Sequence, residues 1–177
     1  GVLGTRREML ATRSADNQCA LAYVNCVGAN DGLIYDGGGF VHHNGRPCVE
    51  APRFKEGWAH AVVDLDRTVR LRTENTTWRR DCQEAWQHHK KPTVLQCGGV
   101  TADRSPLAYP FPEHKSFFLP APVAPRNPRV DFCEDILDAL GTGVGDYLEK
   151  TGAFKGFGIA LSGGRDSMLT LLVTWRW

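Results

Sequence analysis

Eight of the ten prolines in this chain fall between residues 92 and 128, leaving only Pro47 and Pro52 elsewhere. Each proline fixes φ at about −65° and carries no amide hydrogen, so a stretch this rich in proline neither continues a helix nor sits inside a sheet. The composition predicts an extended, semi-rigid connector. It divides the 177 residues into a front segment, 1–91, a connector, 92–130, and a rear segment, 131–177.

Bulk properties exclude several classes of function. No stretch reaches the run of about 20 apolar residues that a membrane helix needs. The 21 basic and 20 acidic residues leave a net charge of +1, which favours neither nucleic acid nor an anionic membrane as partner. No charged-then-apolar leader opens the chain. Six cysteines, Cys19, Cys26, Cys48, Cys82, Cys97 and Cys133, include no C-x-x-C pair. They read as reduced thiols of a cytoplasmic protein rather than a disulfide framework. The doublets His42-His43 and His88-His89 lack the spacing of a tetrahedral zinc site, and His42-His43 is expected at the surface.

In the front segment, residues 6–17 read as the end of a helix. The run 19–27, "CALAYVNCV", suits one buried strand, with Cys19 and Cys26 as core thiols. Asn44-Gly45 between two β-like runs predicts a hairpin, because a type I′ turn needs positive φ at both central positions. Residues 58–66, "WAHAVVDLD", look like a further strand. The polar stretch after them has helical period, with Asn75, Thr76 and Thr77 as candidate caps before Trp78.

In the rear segment, Asp131 and Glu134 have capping-box spacing. Phe132, Ile136, Leu137, Leu140, Val144 and Leu148 then make one apolar helical face. Gly141, Gly143 and Gly145 weaken that helix, so packing must hold it. Lys150 and Gly152 suit its C-terminal end. Residues 157–161, "FGIAL", read as a short strand of the doubly covered type, and 168–175, "MLTLLVTW", as a buried helix.

Between those last two lies "SGGRDS", 162–167. Gly163 and Gly164 lack Cβ, so an anion can approach their N–H groups closely. A helix starting at about Asp166 leaves its first N–H donors without intrahelical partners and carries partial positive charge. The hydroxyls of Ser162 and Ser167 add donors. Together they make a seat for a di- or triphosphate. The pattern is neither a Walker A loop nor G-x-G-x-x-G.

The strand, the S-G-G-x-D-S turn and the helix resemble the PP-loop of ATP pyrophosphatases. That resemblance implies ATP cleavage to AMP and pyrophosphate at Ser162, Gly163, Gly164, Asp166 and Ser167, with Asp166 also holding Mg2+. Residues 13–72 in turn resemble the C-terminal part of a nitrilase-superfamily amidase. The matching features are the R-x-x-D-N helix end at 13–17, Asn25 and Gly28, the Y-D-G-G turn at 35–38, the Asn44-Gly45 hairpin, and Asp64-Leu65-Asp66. An amidase joined through a proline-rich connector to a PP-loop domain is similar to one family, the glutamine-dependent NAD+ synthetases.

The resemblance implies an α/β chain. Residues 1–91 would be the C-terminal part of a nitrilase-like αββα glutaminase domain, and 92–130 the linker. Residues 131–177 would be the first helix-strand-helix of a Rossmann-like, adenine-nucleotide α-hydrolase-like synthetase domain. It implies a carbon-nitrogen ligase that uses ATP and Mg2+ to amidate nicotinic acid adenine dinucleotide through an adenylate. Ammonia would come from glutamine, and the full-length protein would be a homo-oligomer.

The family's Glu-Lys-Cys triad is expected upstream of Gly1, so the chain reads as an interior piece and no catalytic residue is assigned within it. Cys133-Glu134-Asp135 spells the nucleophile turn but follows the connector and lacks an amidase strand before it. It reads as a half-buried thiol in the first turn of a helix. Arg6 and Arg7 are expected as solvated helix charges rather than glutamine contacts, and Tyr35-Asp36 as a strand-end turn rather than the amidase mouth. Two alternatives remain: another PP-loop amidotransferase or tRNA-modifying enzyme, and an interaction module with a vestigial loop.

Overall fold

The computed structural model describes residues 2–88, 93, 95, 98–99, 112, 115–121 and 127–177. Much of the expected connector, Cys97 and His89 fall outside that set. The described elements run α1 (Val2–Asp16), β1 (Ala20–Val24), β2 (Val27–Asn30), β3 (Leu33–His43), β4 (Arg46–Arg53), α2 (Leu65–Glu74), α3 (Thr76–His88), α4 (Pro128–Thr151) and α5 (Arg165–Arg176). The chain is mixed α/β with a four-stranded sheet in which β3 pairs with β1, β2 and β4. None of the described helices is long and apolar enough to cross a membrane.

Two dipeptide turns set the sheet. Asn44 and Gly45, at φ 49° and 83°, close β3–β4 as expected, and Asp31 and Gly32, at φ 48° and 79°, close β2–β3. The second pair, Asp-Gly, is an equally plain turn signal. The run 19–27 is not one buried strand: it breaks at Asn25-Cys26, and β1 alternates exposed and half-buried residues. Cys26 is exposed and Cys19 half-buried, so neither is a core thiol. The Y-D-G-G stretch is no strand-end turn either. It lies inside β3, where Gly37 and Gly38 at φ 64° and 75° kink the strand opposite the Asn25-Cys26 break. Asn25 N–H donates to Gly38 O and Gly37 N–H to Cys26 O across the kink.

At Gly39 the strands crowd: a Cβ there would lie 2.7 Å from the Tyr23 carbonyl oxygen. Since that oxygen is backbone, it cannot swing away. Gly39→Ala is therefore expected to destabilise the sheet by about 1–3 kcal/mol, read as a lowered urea midpoint at unchanged m-value.

The strand expected at 58–66 is absent. Residues 55–64 are irregular, and α2 begins at Leu65 because Asp64 caps it, its carboxylate accepting Arg67 N–H at 3.0 Å. That bond, aided by Arg70, holds the Asp64 carboxyl below its usual range. Asn75 ends α2 and starts α3, its Oδ1 accepting Trp78 N–H at 3.0 Å, so the expected cap holds.

The chain forms two compact units, one of Gly1–Leu21, His42–Cys48 and Ala61–Leu119, the other of Ala22–Val41, Val49–His60 and Pro120–Trp177. In the first, His42 and His43 are buried, against the expectation of a surface doublet. They are the last two residues of β3, beside the tight Asn44-Gly45 turn, which bonds to Thr68 of α2 and Ser14 of α1. His43 Nε2 sits 2.6 Å from Thr68 Oγ1. Ser14 Oγ donates to Cys19 O at 2.7 Å and accepts Gly45 N–H at 3.2 Å. The Phe118 ring stacks on His43 and lies under the Arg46 guanidinium.

In the second unit, α4 starts three residues before the expected capping box. Asn127 is its N-cap, accepting Arg129 N–H at 3.0 Å, and Pro128 follows with its φ already helical. Asp131 is left in the first turn as a favourable charge. The helix ends where expected, at Gly152 in the left-handed region. Residues 157–161 form no strand: no described strand lies alongside to pair their backbone. The helix α5 is not buried as expected, since only Val173 on it is buried and Trp175 is 78% exposed. Phe132, Ile136, Leu140 and Val144 of α4 are exposed as well. What α4 and α5 do share is a close crossing. Gly141 and Gly145 are buried, and a Cβ on Gly145 would meet the Trp177 indole.

Candidate functional site

The N-terminus of α5 follows from the glycine turn. Gly163 takes φ 79°, and Gly164, at φ −78° and ψ 162°, is the N-cap with no side chain to serve as one. The helix thus starts at Arg165, one residue before the expected position. Its first intrahelical bond is Met168 N–H to Gly164 O at 3.2 Å. The N–H groups of Arg165, Asp166 and Ser167 precede that bond and are the helix's open donors.

Hydroxyls frame these donors. Gly164 N–H reaches Ser162 Oγ at 3.4 Å, Ser162 Oγ lies 3.3 Å from Ser167 Oγ, and Ser167 Oγ donates to Gly164 O at 2.9 Å. Ser162, Gly163, Gly164 and Asp166 are exposed and Ser167 is half-buried. A Cβ built on Gly163 would meet nothing within 4 Å. The five residues singled out from sequence therefore share one short, open turn and helix start, with the kind of donors an anion requires.

Asp166 stands in the first turn of α5. Its charge suits the helix dipole but would repel a bound phosphate directly, unless a cation lay between them. Mg2+ takes one or two protein carboxylates and completes its shell with phosphate oxygens and water. The single carboxylate of that first turn fits that role and does not amount to an all-protein cage. Among the described residues, no group of three or more His, Cys, Asp and Glu side chains is arranged around a common metal position.

The helix behind the seat is fastened to α4. Arg176 Nε and Nη2 reach the two oxygens of Asp138 at 2.5 and 3.1 Å. Paired bonds of this kind fix orientation as well as distance.

The remaining candidates stand elsewhere. Arg6 and Arg7 are half-buried in α1, each with an interaction partner, so neither is a freely solvated charge. Tyr35 is exposed on β3. Asp36 accepts Asn25 Nδ2 at 2.7 Å and Arg53 Nε at 3.3 Å, and Arg53 Nη1 donates to Asp135 at 2.6 Å. Cys133 is exposed in the second turn of α4, not half-buried in the first, because the helix begins earlier than the sequence suggested.

Sequence reasoning missed the pair Asp146 and Lys150. Both side chains bond the backbone of Ala29, at 2.6 Å each. Their i,i+4 spacing was legible, but a partner 117 residues away was not.

No family model matches the chain. It is 30% identical over 163 residues to the glutamine-dependent NAD(+) synthetase of Aquifex aeolicus, covering 92% of this chain and 25% of that one. It is 30% identical over 169 residues to the enzyme of the same name from Thermotoga maritima, covering 95% and 26%. A Synechocystis relative of that name is 31% identical, over 94% of this chain and 21% of its own length. Among solved structures, glutamine-dependent NAD+ synthetase from Acinetobacter baumannii, in complex with ADP, matches 99% of this chain and 24% of its own. The TM-score is 0.58 at 24% identity, a likeness of fold. The chain spans about a quarter of the length of the relatives it matches. Nearly all of it is thus homologous to a stretch of the glutamine-dependent NAD(+) synthetases.

Proposed function

We propose that this chain is part of a glutamine-hydrolysing NAD+ synthase and that residues 162–167 seat the pyrophosphoryl end of ATP. The observation that carries the reading is the open glycine turn at the start of α5, lying within a chain homologous to these synthetases along nearly its whole length. In this reading, residues 1–91 are the rear of a nitrilase-like glutaminase domain and 92–130 the linker. Residues 131–177 are the leading edge of a synthetase domain of the PP-loop type.

Gly163 and Gly164 let the phosphates approach the backbone. The open N–H groups of α5 and the hydroxyls of Ser162 and Ser167 bind their oxygens, where pre-placed donors favour the charge that develops as pyrophosphate leaves. Asp166 would hold Mg2+, which neutralises phosphate charge when bound. The substrates would be glutamine, ATP and nicotinic acid adenine dinucleotide, handled by a cytoplasmic homo-oligomer.

The full-length protein supplied with these three substrates should yield NAD+, AMP and pyrophosphate in equal amounts. ADP and phosphate in their place would contradict the PP-loop reading. The 177 residues alone should show neither glutaminase turnover nor NAD+ formation, because they span only about a quarter of the length of the relatives they match. Glutaminase activity of this piece that disappears in Cys133→Ala would reinstate Cys133 as a nucleophile.

A further inference from the structure

We propose that Asp146 and Lys150 are positioning residues that tie the glycine turn, through α4, to the free edge of the β2–β3 hairpin. In the functional reading above, on which this role rests, β2 and β3 belong to the ammonia-producing part, and α4 and α5 to the ATP-using part. The two parts must be held in register if ammonia is to pass from one to the other.

The geometry begins at β2. Its register with β3 pairs Val27 with Asp36, Gly28 with Tyr35, Ala29 with Ile34 and Asn30 with Leu33. Gly37 N–H donates to Cys26 O, which makes 26 and 37 a bonded pair. Bonded and non-bonded pairs alternate along an antiparallel ladder, so the N–H and C=O of Ala29 both point away from β3. An unpaired strand edge of that kind is a template for another strand.

Here one turn of α4 fills it. Asp146 Oδ2 accepts Ala29 N–H at 2.6 Å, and Lys150 Nζ donates to Ala29 O at 2.6 Å. The two side chains also pair with each other at 2.9 Å. An acceptor and a donor from a single helix turn therefore reproduce what a neighbouring strand would offer. The Asp146 carboxyl is held below its usual range, first by the Ala29 N–H and then by Lys150. The contact is close enough that a Cβ on Gly28 would lie 2.7 Å from Asp146 Oδ2.

An Asp–Lys pair four residues apart on an exposed helix is ordinarily a helix-stabilising surface feature. Two observations set this one apart: both partners converge on the same backbone residue, and the helix that carries them is the one to which α5 is fastened. From Ala29 the connection runs through Asp146 and Lys150 into α4, and from Asp138 through Arg176 into α5, whose first turn carries the anion seat. Arg53, bridging Asp36 and Asp135, is a second tie between the strands and α4.

The test compares the full-length protein with its Asp146→Ala/Lys150→Met double variant. Two rates are read, NAD+ formation from ammonium chloride and glutamine hydrolysed per NAD+ formed. The variant should consume about two- to tenfold more glutamine per NAD+ while its ammonium-driven rate stays within about twofold. An unchanged ratio, or glutamine- and ammonium-driven rates that fall in parallel, overturns the proposal.

If the double variant does not fold, Lys150→Met alone must shift the ratio the same way, since Lys150 is the more exposed partner. Amide exchange at Ala29 is independent of activity and should quicken in either variant; unchanged exchange shows that the tie is absent in solution. A wild-type protein that makes no NAD+ from glutamine would defeat the functional reading instead, and the exchange measurement would then judge the tie by itself.

Discussion

Gly163→Val in the full-length protein should lower ATP-dependent NAD+ formation by about 10²–10³-fold, the scale seen when aligned charge-stabilising donors are lost. Crowding is not the cause, since a Cβ on Gly163 meets nothing within 4 Å. The cause is the backbone: φ is 79°, a region that costs an L-residue about 1–2 kcal/mol and a β-branched one more. Valine would push the turn out of that well and rotate the N–H groups of Gly164 and Arg165 away from the phosphate position. Gly164→Ala is the matched control. Its φ of −78° and ψ of 162° are open to any residue, and the new Cβ would lie 3.5 Å from Ser162 Oγ, an ordinary contact. This variant should keep the turn, so any loss it shows reports crowding of the ligand itself. Rates at saturating and limiting ATP separate the two cases. Wild-type turnover in Gly163→Val would remove 162–167 from the ATP site.

What the sequence disclosed is what short-range chemistry decides. Asn44-Gly45, Asn75 and Gly152 act within three or four residues of themselves, and each does in the structure what its chemistry requires. The glycine turn belongs with them, because its conformation, its hydroxyls and the helix start all lie within 162–168. Apolar runs were less informative. Residues 58–66 and 157–161 are apolar enough for strands, but a strand exists only where another pairs with it. In the first run Asp64 gives a helix start instead, and beside the second no described strand lies in place. The apolar sides of α4 and α5 show the same limit, since hydrophobic period marks a face that could be covered, not one that is.

Burial of polar side chains was the least legible property. His42-His43 reads as a surface doublet because histidines are often exposed, yet both are buried, His43 against Thr68, a residue brought in from α2. The Asp146–Ala29 contact spans 117 positions. Nothing in either local sequence names the other, so only the fold could show that a helix's ion pair closes a strand's edge.

His43→Ala is expected to cost about 2–4 kcal/mol, combining a lost buried ring with a broken buried hydrogen bond. The ring is fully buried and stacks on Phe118. Asn44 Nδ2 donates to Thr68 Oγ1 at 3.3 Å, and His43 Nε2 shares a hydrogen bond of 2.6 Å with the same hydroxyl, its direction set by the imidazole tautomer. Burial, and then the neighbouring Arg67 charge, lower the His43 pKa, while Asp64 pulls weakly the other way. The unfolded chain, with an ordinary value near 6.5, therefore binds the proton more readily than the folded one. Stability must then be complete above about pH 6.5 and fall as the pH drops from there toward the folded-state value. Urea midpoints taken from about pH 7.5 down to about pH 5.5 should decline in the wild type and lose most of that slope in His43→Ala. Thr68→Val keeps the volume but removes the hydroxyl, leaving Nε2 buried without that partner, and should cost about 1–3 kcal/mol at neutral pH. Were His43→Ala to retain the wild-type slope, the proton uptake would belong to another group and the buried histidine would be a packing residue alone.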